Sequence, residues 1–206
     1  MAEIFTRYFT EAEERTLLST VRQHAGLQAE RDLHWMLLAR STGVRLCVLS
    51  GLTVGDARAA LDADVLHVRP AINKRDKAQW LPLVKKSRDA LTHLLRIHRA
   101  MSAGIEWDLN PLDRPLILSR NHRGMSVRNF QDRMKKWLDV AGLPAGSPHW
   151  WRHTFAKRAM KNSIAEGSDK LQRVQAILGH DDPRTTQIYT MPDKEELREL
   201  MRDANS

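Results

Sequence analysis

Residues 148–155 read Pro148-His149-Trp150-Trp151-Arg152-His153-Thr154-Phe155, and residues 177–180 read Ile177-Leu178-Gly179-His180, with Tyr189 nine positions farther on. In the first stretch His149 and Arg152 lie three apart and share one face of a helix. In the second, Gly179 is a helix stop and His180 follows it directly. Taken singly, each residue has an ordinary explanation. Arg152 reads as a surface charge, His180 as a polar cap and Tyr189 as a packed ring with one hydrogen bond. They gain meaning beside two residues far upstream: Arg45, which follows a break at Gly43, and Lys74, at the tip of a hairpin.

Around these stretches the pattern is mostly helical. Thr10-Glu11-Ala12-Glu13 is a capping box that opens a helix running to about His24, with Gly26 as its stop. Leu33, Trp35, Met36, Leu37 and Leu38 mark a second helix over about 30–41, and a short helical turn is predicted over 45–50. Alternation over 65–69, a polar turn at 73–77 and a return at 80–83 predict a β-hairpin with a basic tip. Leu91, Leu94, Leu95 and Ile97 predict a helix over about 87–101, residues 115–118 a third short strand, and Ser126 the cap of a helix ending near Gly142. Further helices are expected over about 149–162, 168–178, 183–189 and 193–203. The fold class is α+β, mainly α, with helices packed around a small antiparallel hairpin.

Composition narrows the function. The 206 residues are 42% hydrophobic and 28% charged, which suits one globular domain over 1–206. No run approaches the ~18 apolar residues of a membrane span, and the N-terminus lacks the apolar core of a secretory signal. Cys47 is the single cysteine, which excludes an internal disulfide and a Cys-based zinc site. The formal net charge is +8, yet 114–161 alone holds eleven Lys and Arg against two Asp. A basic block of this kind suits a polyanion, because each contact releases counterions from a phosphate backbone. It suits an ordinary solvated surface equally well. His149 and His153, four apart, share a face, but no Glu lies between them and no third ligand is in view, so no metal is expected there. His34, His67, His93, His98 and His122 read as structural or exposed.

Together these segments resemble the catalytic domain of the tyrosine recombinases, also called phage integrases. Thr42-Gly43-Val44-Arg45 is similar to the segment that bears the family's first arginine. Asn73-Lys74, eight residues before Pro82, resembles its hairpin lysine. His149 to Arg152 resembles the His-x-x-Arg box, and Leu178-Gly179-His180 with Tyr189 the nucleophile box. The resemblance covers about residues 9–192. Two departures stand out: Val48 occupies the place of a usual Glu, and 163–168 reads as an extra loop. The family's N-terminal core-binding domain is expected to be absent, and DNA binding correspondingly salt-sensitive.

The resemblance implies a site-specific recombinase that breaks and rejoins double-stranded DNA through a 3′-phosphotyrosine, in integration, excision or inversion. Tyr189 would be the nucleophile, Arg45 and Arg152 the clamp on the phosphate oxygens, and Lys74 the acid for the leaving 5′-oxygen. His149 would be the acid/base partner of the tyrosine, and His180 a hydrogen-bond donor to the phosphate. No cofactor and no metal are implied. Arg120, Arg123, Arg128, Arg133, Lys135 and Lys136 are expected to line the DNA, as backbone contacts with one or two base readers, or else to be solvated charge. The segment 193–206, with Leu197, Leu200 and Met201, is expected either to join a homotetramer on DNA or to fold back on its own domain. An accessory DNA-bending protein and a cytoplasmic, bacterial or phage setting complete the expectation. Alternatives of other classes are a non-catalytic DNA-binding regulator, a topoisomerase-like relaxing enzyme and, remotely, a metal-dependent nuclease.

Overall fold

Thr10 opens helix α1 (Glu11–Arg22) through a reciprocal cap: Glu13 N–H donates to the threonine hydroxyl (3.2 Å) and Thr10 N–H to the Glu13 carboxylate (2.9 Å). The computed structural model describes residues 7–162, 167–179, 186, 187, 189, 201 and 202. Helices α2 (Leu27–Thr42), α3 (Leu46–Gly51) and α4 (Val54–Ala63) follow. Strands β1 (Val65–Val68) and β2 (Gln79–Pro82) come next, then α5 (Lys85–Met101), α6 (Val127–Val140), α7 (His149–Asn162) and α8 (Gly167–Leu178). Mainly helical, with one antiparallel two-stranded sheet, this is the expected class. Among the described residues no helix is long and apolar enough to cross a membrane.

Two elements differ from the sequence reading. Helix α4 went unread. It is built on a second reciprocal cap between Thr53 and Asp56, and it buries Val54, Ala57 and Ala60. The third strand, by contrast, does not form. Residues 115–118 join only isolated bridges, Thr53 with Pro115 and Leu118 with Gly124. Leu116, Ile117 and Leu118 are buried all the same. An apolar run reports burial, and burial does not by itself supply a neighbouring strand edge. The predicted helix over 183–189 lies outside the described residues apart from 186, 187 and 189. The tail helix over 193–203 likewise lies outside them apart from 201 and 202.

The core explains how the site is held. Trp35, Met36, Leu38, Leu49, Leu66, Leu91, Leu94, Phe130, Trp137 and Trp151 belong to one cluster that joins α2, α3, the hairpin, α5, α6 and α7. Burying each such side chain contributes ~1.5–3 kcal/mol. Polar ties cross the same interior. Glu14 on α1 pairs with Arg40 on α2 and with Arg158 on α7 (2.6 Å). Asp32 on α2 is fully buried and accepts from Arg31 (2.7 and 3.0 Å), Trp35 (3.3 Å), Arg133 (2.5 Å) and Trp137 (2.8 Å).

The hairpin pairs Leu66 with Leu81 and His67 with Trp80. Leu66, Val68, Leu81 and Gln79 face inward, while the His67 and Trp80 rings stack on the outer face at 4.0 Å. Arg69 fastens the hairpin to α4 with two parallel bonds to Asp56 (2.8 and 2.9 Å) and a third to the Gly51 carbonyl (3.1 Å).

Candidate active site

Gly43 sets the first arginine. It ends α2 in the left-handed conformation at φ +66°, and a Cβ there would lie 2.5 Å from the Phe155 ring. Both demands select glycine. The chain then turns so that Arg45 becomes the N-cap of α3. Its guanidinium donates to Asn73 Oδ1 (3.2 Å) and to the Gly179 carbonyl (3.2 Å).

The same Asn73 oxygen accepts the backbone N–H of Lys74 (2.9 Å), and Asn73 Nδ2 donates to the Lys77 carbonyl (2.9 Å). One asparagine thus shapes the hairpin tip, in a 3-10 turn over Lys74–Asp76, and couples it to Arg45. The Lys74 side chain is exposed.

Helix α7 carries two of the predicted site residues, three positions apart. His149 is its first residue, and Arg152 is buried at 2% exposure. Arg152 donates to the carbonyls of Gly43 (2.7 Å) and Leu178 (2.5 Å). Burial and then the charge of Arg45 lower its pKa to about 10, so it remains a cation at neutral pH. Partial burial, and behind it the charges of Arg152, Arg45 and Lys74, lowers the pKa of His149. The outer side of that ring is open to solvent. His149 therefore feels all three of the other cationic groups, and Arg152 feels Arg45.

Tyr189 packs against α7 and α8 with Ala156, Met160, Val174 and Leu178. Burial raises its pKa, while Arg152 and Arg45 oppose that rise. Its hydroxyl meets His153 Nδ1 at 2.7 Å, and the His153 ring meets His149 edge to face at 4.4 Å. The hydroxyl's hydrogen-bond partner is His153, whereas the sequence reading named His149 as the tyrosine's partner. The signal was the four-residue spacing, which puts both rings on one face. Gln79, also unread, donates to the Ile177 carbonyl and ties β2 to the end of α8. The structure thus brings Arg45, Lys74, His149, Arg152 and Tyr189 into one neighbourhood. His180 lies outside the described residues.

The cations expected along DNA divide. Arg120 and Arg123 are exposed and line a groove of ≈ 480 Å³ with Arg31, Asn129 and Arg133. Arg128 is 79% exposed and pairs with Asp132 one turn on (3.2 Å). Lys135 and Lys136 are exposed, with the Lys136 ammonium 5.3 Å from the Trp137 ring. Arg133 differs from the others. Its guanidinium pairs with the buried Asp32 and lies over Trp137 at 5.4 Å while the side chain also lines that groove. Of the tail anchors only Met201 is described, and it is 68% exposed.

Residues 7–196 match the model of the phage integrase family. The chain is 33% identical over 171 residues to a protein named tyrosine recombinase XerC from Actinobacillus pleuropneumoniae, covering 82% of this chain and 50% of that protein. It is 37% identical over 163 residues to one named tyrosine recombinase XerD from Brucella abortus, covering 78% and 48%. The chain thus spans about half the length of the curated relatives it matches. Among solved structures, the XerA recombinase superposes with a TM-score of 0.74 at 22% identity, over all of this chain and 66% of that one. The Tn1549 transposon integrase with transposon right end DNA gives 0.71 at 18%, over 97% and 66%. With the family model spanning nearly all of the sequence and the fold shared with such recombinases, the chain belongs to the phage integrase family, the tyrosine recombinases.

Proposed function

We propose that this protein breaks and rejoins double-stranded DNA at a specific site through a covalent bond between Tyr189 and a 3′-phosphate. The observation that carries the reading is the meeting of a tyrosine hydroxyl with a histidine nitrogen (2.7 Å), beside two arginines whose charges oppose the rise that burial gives the tyrosine's pKa. The similarity to proteins named tyrosine recombinases supports it. A phenol is a weak nucleophile at neutral pH and needs a proton acceptor. His153 takes the proton as the phenol oxygen attacks phosphorus. The bond to the 5′-oxygen breaks, and Lys74 at the hairpin tip supplies that oxygen's proton. Arg45 and Arg152 hold the non-bridging oxygens as charge builds, a type of stabilisation worth ~2.7–4 kcal/mol per donor in another reaction class. His149 and His180 complete the phosphate contacts. The ester conserves bond energy, so the reverse attack by a 5′-hydroxyl reseals the strand.

Residues 7–196 form the catalytic unit in this reading. Arg120, Arg123, Arg128, Lys135 and Lys136 follow the phosphate backbone. The segment from 193 onward joins a homotetramer on DNA, with an accessory DNA-bending protein assisting, in the cytoplasm. In the structure described here Arg45 and Arg152 donate to backbone carbonyls near α8, and a phosphate would compete for those donors. The test is a DNA site carrying a nick beside the scissile phosphate, scored by denaturing gel. The wild type is expected to form a protein–DNA adduct, and Tyr189→Phe to form none while still shifting the DNA on a native gel. Adduct from the Phe variant would overturn the assignment.

A further inference from the structure

Away from the active site, helices α2 and α5 bring together Glu30, His34 and His93. One oxygen or nitrogen ligand atom from each lies within 4.8 Å of the others. We propose that these three side chains bind a divalent transition ion of the Zn²⁺ class and that the ion cross-links α2 to α5.

Glu30 and His34 are four apart on α2, so both project from one face; His93 reaches in from α5. The two imidazoles stack at 4.2 Å and 10°. Two nitrogens and one carboxylate oxygen make the donor set of a borderline ion, and they select against Mg²⁺ and Ca²⁺, which prefer oxygen alone. His34 is 9% exposed, and its Nδ1 is buried with no hydrogen-bond partner among the described residues. A buried imidazole nitrogen without a partner loses its water on folding and gains nothing in return. A metal ion is the ligand that would complete it.

Bond lengths of about 2.0–2.2 Å require the donors to close by roughly an ångström. Glu30 is only half buried and His93 is exposed, so two of the three side chains are able to rotate inward. Both histidines line a broad cavity of ≈ 980 Å³ with Asp89, one turn before His93 on α5, and a fourth position open to that cavity suits water. Arg96 is the competitor. It pairs with Glu30 from α5 and must yield the carboxylate to the ion. That pair is substantially exposed, and exposed pairs hold with only ~0.2–1 kcal/mol.

The experiment uses the full chain stripped with chelator and then titrated with Co²⁺ alone, followed by visible absorption. Zn²⁺ displacement and thermal unfolding accompany it. One equivalent of Co²⁺ should give ligand-field bands that Zn²⁺ abolishes, and Zn²⁺ should raise Tm. His93→Ala, an exposed position, should unfold at the wild-type temperature without metal, lose the bands and weaken binding at least tenfold. Arg96→Ala should tighten binding by freeing Glu30. Unchanged bands in both His93→Ala and Glu30→Gln, or no saturable binding in the wild type, would overturn the site. None of these readouts involves DNA.

Discussion

Arg31 and Arg152 are each 2% exposed, yet their surroundings are opposite. Arg31 spends its charge on Asp32, which also takes Arg133, so that a carboxylate and two guanidiniums share the interior of α2 and α6. Arg152 finds carbonyls alone in its described bonds, at Gly43 and Leu178. A carbonyl satisfies an N–H without cancelling the positive charge. The first cluster sets its cations against a carboxylate; the second leaves its charge uncancelled in those bonds, which suits the incoming phosphate of the proposed reaction. Burial therefore does not tell these two arginines apart; the formal charge of the partner does.

The difference is open to attack from either side. Asp32→Asn should have the largest effect. It strips the counter-charge from two cations at once, and breaking a buried pair costs about 3–5 kcal/mol. Urea unfolding is expected to show that loss; a change below ~1 kcal/mol would erase the distinction. Arg152→Lys comes next. A single ammonium cannot reproduce the fork, so adduct formation on nicked DNA should fall ~10²–10³-fold, in line with loss of one charge-stabilising donor. Its melting temperature should fall less than that of Asp32→Asn. Equal rates would make Arg152 a strut. The smallest effect concerns a third solution to burying a cation, which is to discard it. Burial lowers the pKa of His98 below the 6.5 of an unfolded imidazole, so the fold disfavours the charged ring. Stability should decline as pH falls below 6.5, because the unfolded chain takes up the proton first. His98→Gln should flatten that decline in thermal unfolding at pH 7 and pH 5.

Much of this was legible in the residues. The capping box at Thr10 and the alternation in the hairpin each encode a local geometry, and each formed as read. Helix α4 was hidden by its length and by Gly55, although Thr53 and Asp56 carry a readable cap. Arg133 was hidden for a deeper reason. In sequence it is one cation among several, and only packing against Asp32, 101 positions away, reveals its use. The same holds for Asn73 and Gln79, whose contacts join elements that no local window spans. His34 and His93 looked unremarkable because their significance is a distance between helices.

The end of α8 has a geometric consequence. Its carbonyls at Ile177, Leu178 and Gly179 are gripped in turn by Gln79 of the sheet, Arg152 of α7 and Arg45 of the loop after α2. Three supports that are not collinear fix both position and tilt, as the feet of a tripod do. A shift in any one foot would move the point at Gly179 from which the chain sets out toward Tyr189, the nucleophile of the proposed reaction.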